Sequence, residues 1–266
     1  MAETQNWNIT PDQAEAYEAY FVPAIFAQWP EQICQLAQIQ SGEEVLDIGC
    51  GTGILARTVA DRVAPRGSVA GIDINEGMLR VARRLNPNIL WRQSDAADLP
   101  FSDNMFDVVV SQFAFMILRD RAAVLTGIKR VLRPGGRIAI AVWAPIERSR
   151  AYVHLAESLQ KHVGDEAAER LRSPFKLGDP DELRAMFNSV YIRNLRIALK
   201  KGTARYPSIE EFVEIEIKNS SINELINEDQ YACVEDDARR LLDQYRESSG
   251  EIVIPLDAHI AVAKVG

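Results

Sequence analysis

The chain has 266 residues and a formal net charge of −8, with 47% hydrophobic and 26% charged residues. Such a composition is typical of a soluble globular protein, and the length suits one domain that carries an insertion. The acidic balance argues against a nucleic-acid partner, because proteins that bind phosphates need a cationic surface, and no apolar run approaches the about 20 residues of a membrane span.

The N-terminus, from Met1 to Trp7, lacks the basic region and the apolar core of a signal peptide. Three cysteines, Cys34, Cys50 and Cys233, show no C-x-x-C spacing, which fits a reducing compartment and argues against a structural zinc. No paired carboxylates or histidine–carboxylate clusters suggest another metal. We therefore expect a cytoplasmic protein without a bound metal.

The first predicted element is a helical arm within residues 1–40. Its start is marked by the capping sequence Thr10-Pro11-Asp12-Gln13, and Tyr17 and Tyr20 follow in the helix. Aromatic residues in such a helix more often pack than contact a ligand, yet a tyrosine face attracts a cationic group. Both tyrosines are therefore candidates for a ligand site.

Strands and helices alternate through the rest of the chain, which predicts an α/β fold with a doubly wound parallel sheet. The predicted strands lie at about 44–48, 68–73, 89–93, 106–111 and 136–143, with a sixth at about 191–199 and a last at about 252–264. Apolar stripes on the intervening helices are typical of a buried core.

The most informative segment is residues 45–53, VLDIGCGTG, in which a buried strand turns into a helix through Gly49, Gly51 and Gly53. The glycines leave room for a ligand against bare backbone. Their rhythm is G-x-G-x-G, not the G-x-G-x-x-G that seats a pyrophosphate on a helix N-terminus. Asp47 stands just before the first glycine, where it repels a pyrophosphate and suits a cation. The loop thus predicts a nucleoside that carries a positively charged amino acid.

Two further acids end the next predicted strands. Asp73 follows the last glycine by 20 residues (73 − 53), which in a βαβ unit places it within reach of ribose hydroxyls. Asp95 lies within Ser94-Asp95-Ala96, just after the third strand. A glycine-rich turn or an acid at a strand end taken singly is as often structural as functional, whereas the ordered set is specific.

This set, continued by LPF at 99–101, FDVVV at 106–110 and RVLRPGG at 130–136, resembles the class I S-adenosylmethionine-dependent methyltransferases over residues 40–145. It is most similar to their small-molecule subgroup, which includes quinone-biosynthesis enzymes. The resemblance implies a Rossmann-like, seven-stranded, mostly parallel sheet with an antiparallel last strand. It also implies S-adenosyl-L-methionine as cofactor and S-adenosyl-L-homocysteine as product. Members that methylate a flipped base carry an Asn- or Asp-Pro-Pro-aromatic sequence after the fourth strand, where this chain has Ser111-Gln112-Phe113-Ala114.

By this resemblance the glycines and Asp47 hold the methionine end, Asp73 the ribose, and Asp95 the adenine amine. The residues expected at the cofactor are Tyr17, Tyr20, Asp47, Gly49, Cys50, Gly51, Gly53, Asp73, Ile74, Met78, Asp95, Ala96, Ser111 and Gln112. Phe113, Trp143 and His154 are expected on the substrate side. Cys50 is more simply explained as a small residue that fits than as a nucleophile.

Two segments lie outside the predicted sheet. The sheet-forming core comprises 41–145, 189–205 and 251–266, and residues 146–188 and 206–250 are predicted as helical insertions that form a substrate-binding lid. The second insertion departs from quinone methyltransferases, which join their last two strands by a short hairpin. The segments therefore bear on the identity of the methyl acceptor.

Methyl transfer depends mainly on proximity and on exclusion of water, and a general base is needed only for a weakly nucleophilic acceptor. No catalytic residue is identified; His154, Gln112 and Tyr20 are candidates, and a structural role is the simpler explanation for His154. The expected reaction is methylation of a small organic molecule on O, N or C. Two alternatives stay open: an enzyme that uses the cofactor without transferring its methyl group, and a non-catalytic sensor or assembly protein. The sequence leaves the oligomeric state open.

Overall fold

A computed structural model describes residues 10–265. In this range seven strands form one sheet in the order β3-β2-β1-β4-β5-β9-β6, and β7 and β8 form a separate pair. The strands are β1 Glu44–Ile48, β2 Ser68–Asp73, β3 Leu90–Gln93, β4 Phe106–Gln112, β5 Leu132–Trp143, β6 Arg196–Lys200, β7 Thr203–Tyr206, β8 Ile252–Pro255 and β9 Ala258–Lys264.

The α-helices are α1 Pro11–Ala16, α2 Pro30–Leu36, α3 Ile54–Val63, α4 Glu76–Leu85, α5 Arg121–Val131, α6 Arg150–His162, α7 Asp165–Arg172, α8 Pro180–Ser189, α9 Ile209–Lys218 and α10 Glu228–Leu242. A π-helical segment, Tyr17–Phe26, continues α1. Local capping explains where several helices begin: the Thr10 and Gln13 side chains form a reciprocal capping box at α1, and Ser208 accepts a hydrogen bond from the Glu211 amide at α9. Among the described helices none is long and apolar enough to cross a membrane.

The centre of the large sheet is β1, which pairs in parallel with β2 on one side and β4 on the other. Asp47 lies opposite Gly71 of β2 and Val110 of β4. From β1 the chain runs outward to β2 and β3, and it then returns to β4 on the other side of β1. The crevice beyond the carboxyl ends of β1 and β4 is therefore the switch point where ligands bind in open parallel sheets. The sheet thus places the glycine loop at that crevice.

The predicted antiparallel last strand is confirmed as β9. Amide–carbonyl pairs beside β5 join Gly135 N to Val265 O at 3.0 Å and Val265 N to Gly136 O at 2.8 Å. The predicted start of the fifth strand at about residue 136 is wrong, because β5 begins at Leu132 and includes the Arg-Pro-Gly-Gly sequence 133–136. The pairing of β5 with β4 shifts register between Phe106 and Val108, and Gly135, with a φ of +79°, lets β5 continue through this shift.

Two other strand predictions need correction. A single last strand at 252–264 is wrong, since β8 pairs with β7 outside the large sheet and only β9 enters it. The break follows Pro255, which has no amide to donate, and the Asp257 side chain accepts a hydrogen bond from Arg148 Nε at 2.9 Å. The sixth strand begins at Arg196 rather than near 191, because Tyr191 and Asn194 have left-handed φ angles that interrupt an extended run.

The chain divides into two compact units. One holds most of the large sheet, the arm and α8, within the described residues 10–142, 180–199 and 259–265. Its core is apolar on both faces of the sheet, as in a buried parallel sheet, and includes the fully buried Leu46, Ile48, Ile72, Val108 and Ile140.

The other unit holds residues 143–179 and 200–258, where α6 packs against α7 and α10. Asp237 of α10 joins it to α6: the carboxylate accepts hydrogen bonds from His162 at 2.9 Å, Ser158 at 3.1 Å and Lys161 at 3.2 Å. Burial opposes ionisation of Asp237, but these donors outweigh it and lower the pKa to about 2. Tyr152, Tyr206 and Glu216 form a second polar cluster within this unit.

Candidate functional site

The glycine loop connects the carboxyl end of β1 to the first turn of α3. Its three glycines all have positive φ angles, +66° at Gly49, +54° at Gly51 and +88° at Gly53. The loop is held to β2 by the amide of Cys50, which donates to Ile72 O at 2.9 Å. A buried strand therefore turns sharply into a helix without a bulky side chain on the loop.

Two of these glycines serve different needs. A Cβ atom at Gly49 would lie 2.3 Å from the Cβ of Ala114, so close packing excludes any side chain there. A Cβ atom at Gly51 would meet no protein atom within 4 Å. The loop thus presents bare backbone to an open side at position 51, where a side chain would occupy the space of a ligand.

Asp47 is a buried acid at the carboxyl end of β1. The residue is 1% exposed, and neither carboxyl oxygen has a hydrogen-bond partner among the described residues. Burial raises its pKa well above the usual range, the nearby Ala56 amide partly opposes this, and the charge of Asp73 adds to it. A buried carboxyl left in this state is costly for the free protein and is satisfied by a bound cation or hydrogen-bond donor.

Asp73 ends β2 and organises the glycine loop. Its Oδ2 accepts from the Gly51 amide at 2.9 Å, and its Oδ1 accepts from the Asn75 amide at 2.8 Å. Burial raises its pKa, and the amides of Asn75 and Gly51 partly offset the rise. Each oxygen retains acceptor capacity, so the same carboxylate can hold the loop and accept from a ligand hydroxyl.

A single small cavity collects residues from the loop, the arm and β4. It is lined by Tyr17, Phe26, Asp47, Gly49, Cys50, Gly51, Thr52, Ile54, Leu55 and Gln112. The ring of Tyr17 stacks on Phe26 at a centroid distance of 5.5 Å, so two arm aromatics form one wall. Gln112 Nε2 donates to Phe26 O at 3.3 Å, while its Oε1 is buried without a hydrogen-bond partner in the described part of the chain.

Two groups in this cavity are kept neutral. Burial raises the pKa of Tyr17 far above its usual range, with Asp73 adding to the shift. Burial likewise raises the pKa of the Cys50 thiol, as do the charges of Asp73 and Asp47. A neutral thiol is a poor nucleophile, so Cys50 acts here as a small packing residue.

The residues predicted near adenine follow β2 and β3. Ile74 is 60% exposed, and Met78 is buried at the start of α4, where its amide donates to Asn75 Oδ1 at 3.0 Å. Asp95 accepts from the Ala97 amide at 2.9 Å in a tight turn, and Ala96 is buried beside it. These residues follow the carboxyl ends of β2 and β3 and are not among those that line the small cavity.

Other predicted site residues lie elsewhere. Ser111 is fully buried and donates to Ile48 O at 2.7 Å, which ties β4 to β1. Phe113 is buried against Trp29, with a left-handed φ of +56°. Tyr20 is 70% exposed on the arm.

Trp143 and His154 belong to the other compact unit. There His154 Nδ1 lies 3.5 Å from Glu157 of the same helix. The structure does not bring these two residues together with the loop residues inside one unit.

Sequence reasoning missed four residues of the cavity wall: Phe26, Thr52, Ile54 and Leu55. Thr52 stands inside the glycine motif, and Ile54 and Leu55 begin α3, so their adjacency to the motif was a usable signal. Phe26 had no comparable signal, because it reaches the cavity only through the folding of the arm.

This set of groups fits S-adenosylmethionine. The Asp47 carboxyl, which has no hydrogen-bond partner among the described residues, suits an ammonium group. The Asp73 carboxylate suits the hydroxyls of a ribose, and the free space beside Gly51 allows a ligand to contact the backbone. The walls formed by Tyr17 and Phe26 suit a sulfonium, which is attracted to aromatic faces.

Comparisons with known proteins agree with this chemistry. A family model described as a methyltransferase domain matches residues 45–136. The demethylmenaquinone methyltransferase of Tropheryma whipplei is 38% identical over 133 residues, which cover 48% of this chain and 54% of the relative. The ubiquinone/menaquinone biosynthesis C-methyltransferase of Cupriavidus taiwanensis is 34% identical over 163 residues, covering 51% of this chain and 67% of the relative. The chain thus spans about half to two thirds of the length of these relatives.

A solved structure shares the fold over most of the chain. Phosphoethanolamine N-methyltransferase 2 of Haemonchus contortus, in complex with S-adenosyl-L-methionine, superposes with a TM-score of 0.60 at 20% identity. The match covers 97% of this chain and 58% of that structure. At this identity the likeness concerns the fold alone.

Proposed function

Because the chain belongs to the class I S-adenosylmethionine-dependent methyltransferases, we propose that it transfers a methyl group from S-adenosylmethionine to a small organic molecule. The observation that carries the proposal is the buried Asp47 carboxyl, whose oxygens have no hydrogen-bond partner in residues 10–265, beside a loop of three left-handed glycines. Such an arrangement suits an ammonium group and repels a pyrophosphate.

Each role in this proposal belongs to residues of the sheet unit. Asp47 neutralises the ammonium of the cofactor, Asp73 holds the ribose, and Gly51 gives access to backbone. Beyond the carboxyl ends of β2 and β3, Met78 packs on the adenine ring and Asp95 accepts a hydrogen bond from its amine. These assignments follow the family resemblance and are supported by the hydrogen bonds and burial described above.

When bound, the cofactor supplies an electrophilic methyl group on a sulfonium. The chain orients the cofactor and excludes water from it. Tyr17 and Phe26 cover one side of the cavity and so keep water away from the sulfonium, whose charge is dispersed during transfer. Gln112 also lines this cavity, and its Oε1, which accepts no hydrogen bond from the described residues, can accept one from a donor group of the ligand. A general base is not assigned, so His154, Gln112 and Tyr20 stay predictions.

The methyl acceptor is proposed only as a class. The names of the two relatives point to quinone precursors, whereas this chain has the helices α9 and α10 between β6 and β9, where the resemblance predicts a short hairpin. Residues 146–188 and 206–250 keep their predicted role in acceptor binding. An enzyme that uses the cofactor without transferring its methyl group, or a non-catalytic sensor or assembly protein, is not favoured, because the named relatives are methyltransferases.

Calorimetry with S-adenosylhomocysteine tests the cofactor, with NADH as the control nucleotide. We expect micromolar binding and a raised melting temperature, since a ligand at a hundredfold excess over Kd stabilises the native state by about 2.7 kcal/mol. Heat with NADH and none with S-adenosylhomocysteine would refute the proposal. Formation of S-adenosylhomocysteine from S-adenosylmethionine and pooled metabolites then tests turnover; binding without turnover in any pool would contradict methyl transfer.

A further inference from the structure

Arg57 follows the glycine motif and is not among the residues that line the cavity, yet it connects two of the cavity walls. It belongs to the second turn of α3. Its Nη1 donates to Thr52 O of the glycine loop at 2.5 Å, and its Nη2 donates to Glu18 Oε1 of the arm at 2.7 Å. One guanidinium group therefore holds the loop backbone and the arm at the same time, which its planar set of donors allows.

The pair is well shielded from water. The Arg57 and Glu18 side chains are 19% and 18% exposed, and Glu18 Oε2 is buried without a hydrogen-bond partner among the described residues. If Arg57 loses its charge, Glu18 is left as a buried carboxylate without a counter-ion, which is strongly unfavourable. The arm then relieves that cost by moving Glu18 into water.

Glu18 directly follows Tyr17, the arm residue that closes the cavity. Tyr17 packs against the cluster of Ala14, Met78 and Val81, and its ring stacks on Phe26. The position of Glu18 therefore sets the position of the Tyr17 wall. A movement of Glu18 into water therefore displaces the Tyr17 wall and opens the cavity.

We propose that Arg57 is a positioning residue for the cofactor: its ion pair with Glu18 holds the arm closed against the glycine loop, and release of the cofactor requires this pair to break. The inference rests on the proposed function and deepens it, because it assigns the exchange step to one ion pair. Arg57 acts through Thr52 and Glu18 and does not itself contact the cofactor.

Dissociation of S-adenosylhomocysteine, followed by stopped-flow competition, tests the proposal in Arg57→Gln and Glu18→Gln. Each is expected to release the ligand about tenfold faster or more, in line with the loss of a charge-assisted hydrogen bond. The matched control is Arg62→Gln, which removes an arginine of the same helix that pairs with Glu31 of α2. It is expected to leave the release rate within about twofold of the parent, as an exposed pair contributes little.

Two further readouts separate positioning from a merely structural role. The double variant Glu18→Gln/Arg57→Gln is expected to release the ligand no faster than either single variant, because both remove the same interaction. Without ligand, hydrogen exchange of the segment 17–26 is expected to accelerate in Arg57→Gln and not in Arg62→Gln.

Parental release rates in both single variants, or an equal acceleration in Arg62→Gln, would overturn the role of Arg57. If Arg57→Gln does not fold, Glu18→Gln decides alone. Failure of the parent protein to bind S-adenosylhomocysteine would instead refute the proposed function, and hydrogen exchange of the ligand-free arm would still decide whether the pair holds it closed.

Discussion

Replacement of Asp47 by asparagine is expected to have opposite effects on the free protein and on its complex. The side chain keeps its shape but loses its ionisable carboxyl group; the residue is 1% exposed, and its carboxyl oxygens have no hydrogen-bond partner among the described residues. In the free protein this removes a buried group that resists ionisation, so Asp47→Asn should be at least as stable as the parent at neutral pH. In the complex it removes a charge-assisted contact with an ammonium.

The magnitude follows from that contact. A hydrogen bond to a charged group contributes about 1.5–3 kcal/mol, which corresponds to a loss of about 10- to 150-fold in affinity for S-adenosylhomocysteine. Asp61→Asn is the matched control, since it neutralises an exposed acid of α3. It is expected to change neither the affinity nor the stability measurably.

The pH dependence has a definite sign. Because burial raises the pKa of Asp47 in the free protein, the native state holds a proton that the unfolded chain releases, and stability falls as pH rises from the unfolded pKa towards the folded one. Binding of an ammonium favours the ionised carboxyl, so the complex releases that proton and the affinity increases with pH up to the folded pKa. Calorimetry in two buffers of different ionisation enthalpy measures the released proton.

Three results would refute this reasoning. One is an Asp47→Asn variant that binds S-adenosylhomocysteine as tightly as the parent. The second is a variant that is less stable than the parent without ligand, which would mean that Asp47 has a structural partner. The third is proton release of equal size in parent and variant, which would assign the proton to another group.

Three further predictions concern neighbouring features. Gly51→Ala should weaken S-adenosylhomocysteine binding at a stability cost of only about 1–2 kcal/mol, whereas Gly49→Ala should lower the melting temperature strongly, because its Cβ would clash with Ala114. Asp73→Ala should lower both affinity and stability, each measurable by calorimetry, since the Gly51 and Asn75 amides lose their acceptor. Asp237→Asn should lower the midpoint of urea unfolding at pH 6 and much less at pH 2: the contribution of the carboxylate is complete above the unfolded pKa of about 3.9 and is lost as pH falls through the folded pKa of about 2.

Much of the candidate site at the carboxyl ends of β1 and β2 could be predicted from the sequence, because the features that determine it are local. The left-handed glycines, the capping sequences and the acids at strand ends act within a few residues of where they stand. The alternation of strands and helices then restricts the order of parallel strands, since crossover connections are right-handed. Asp47 and the glycines therefore lie together at the end of β1, as predicted.

The boundaries near the end of the chain depended on tertiary pairing. The amino-acid sequence of residues 252–264 is typical of a single strand, and its pattern does not show that β8 pairs with β7 while β9 pairs with β5. The outcome depends on partners far away in sequence, such as Gly202, whose carbonyl accepts from the Leu256 amide at 2.9 Å.

The walls that close the cavity were likewise decided by the tertiary structure. Gln112 meets Phe26 across 86 residues, and Arg57 meets Glu18 across 39. Neither pair has a sequence signal, because an arginine, a glutamate or a glutamine on a helix or a strand end is ordinarily solvated. Only packing of the arm on α4 brings these side chains together and shields them from water. The sequence alone therefore determined which chemistry this edge of the sheet supports, and the tertiary structure determined how the edge is covered, since burial arises from contacts that no local motif specifies.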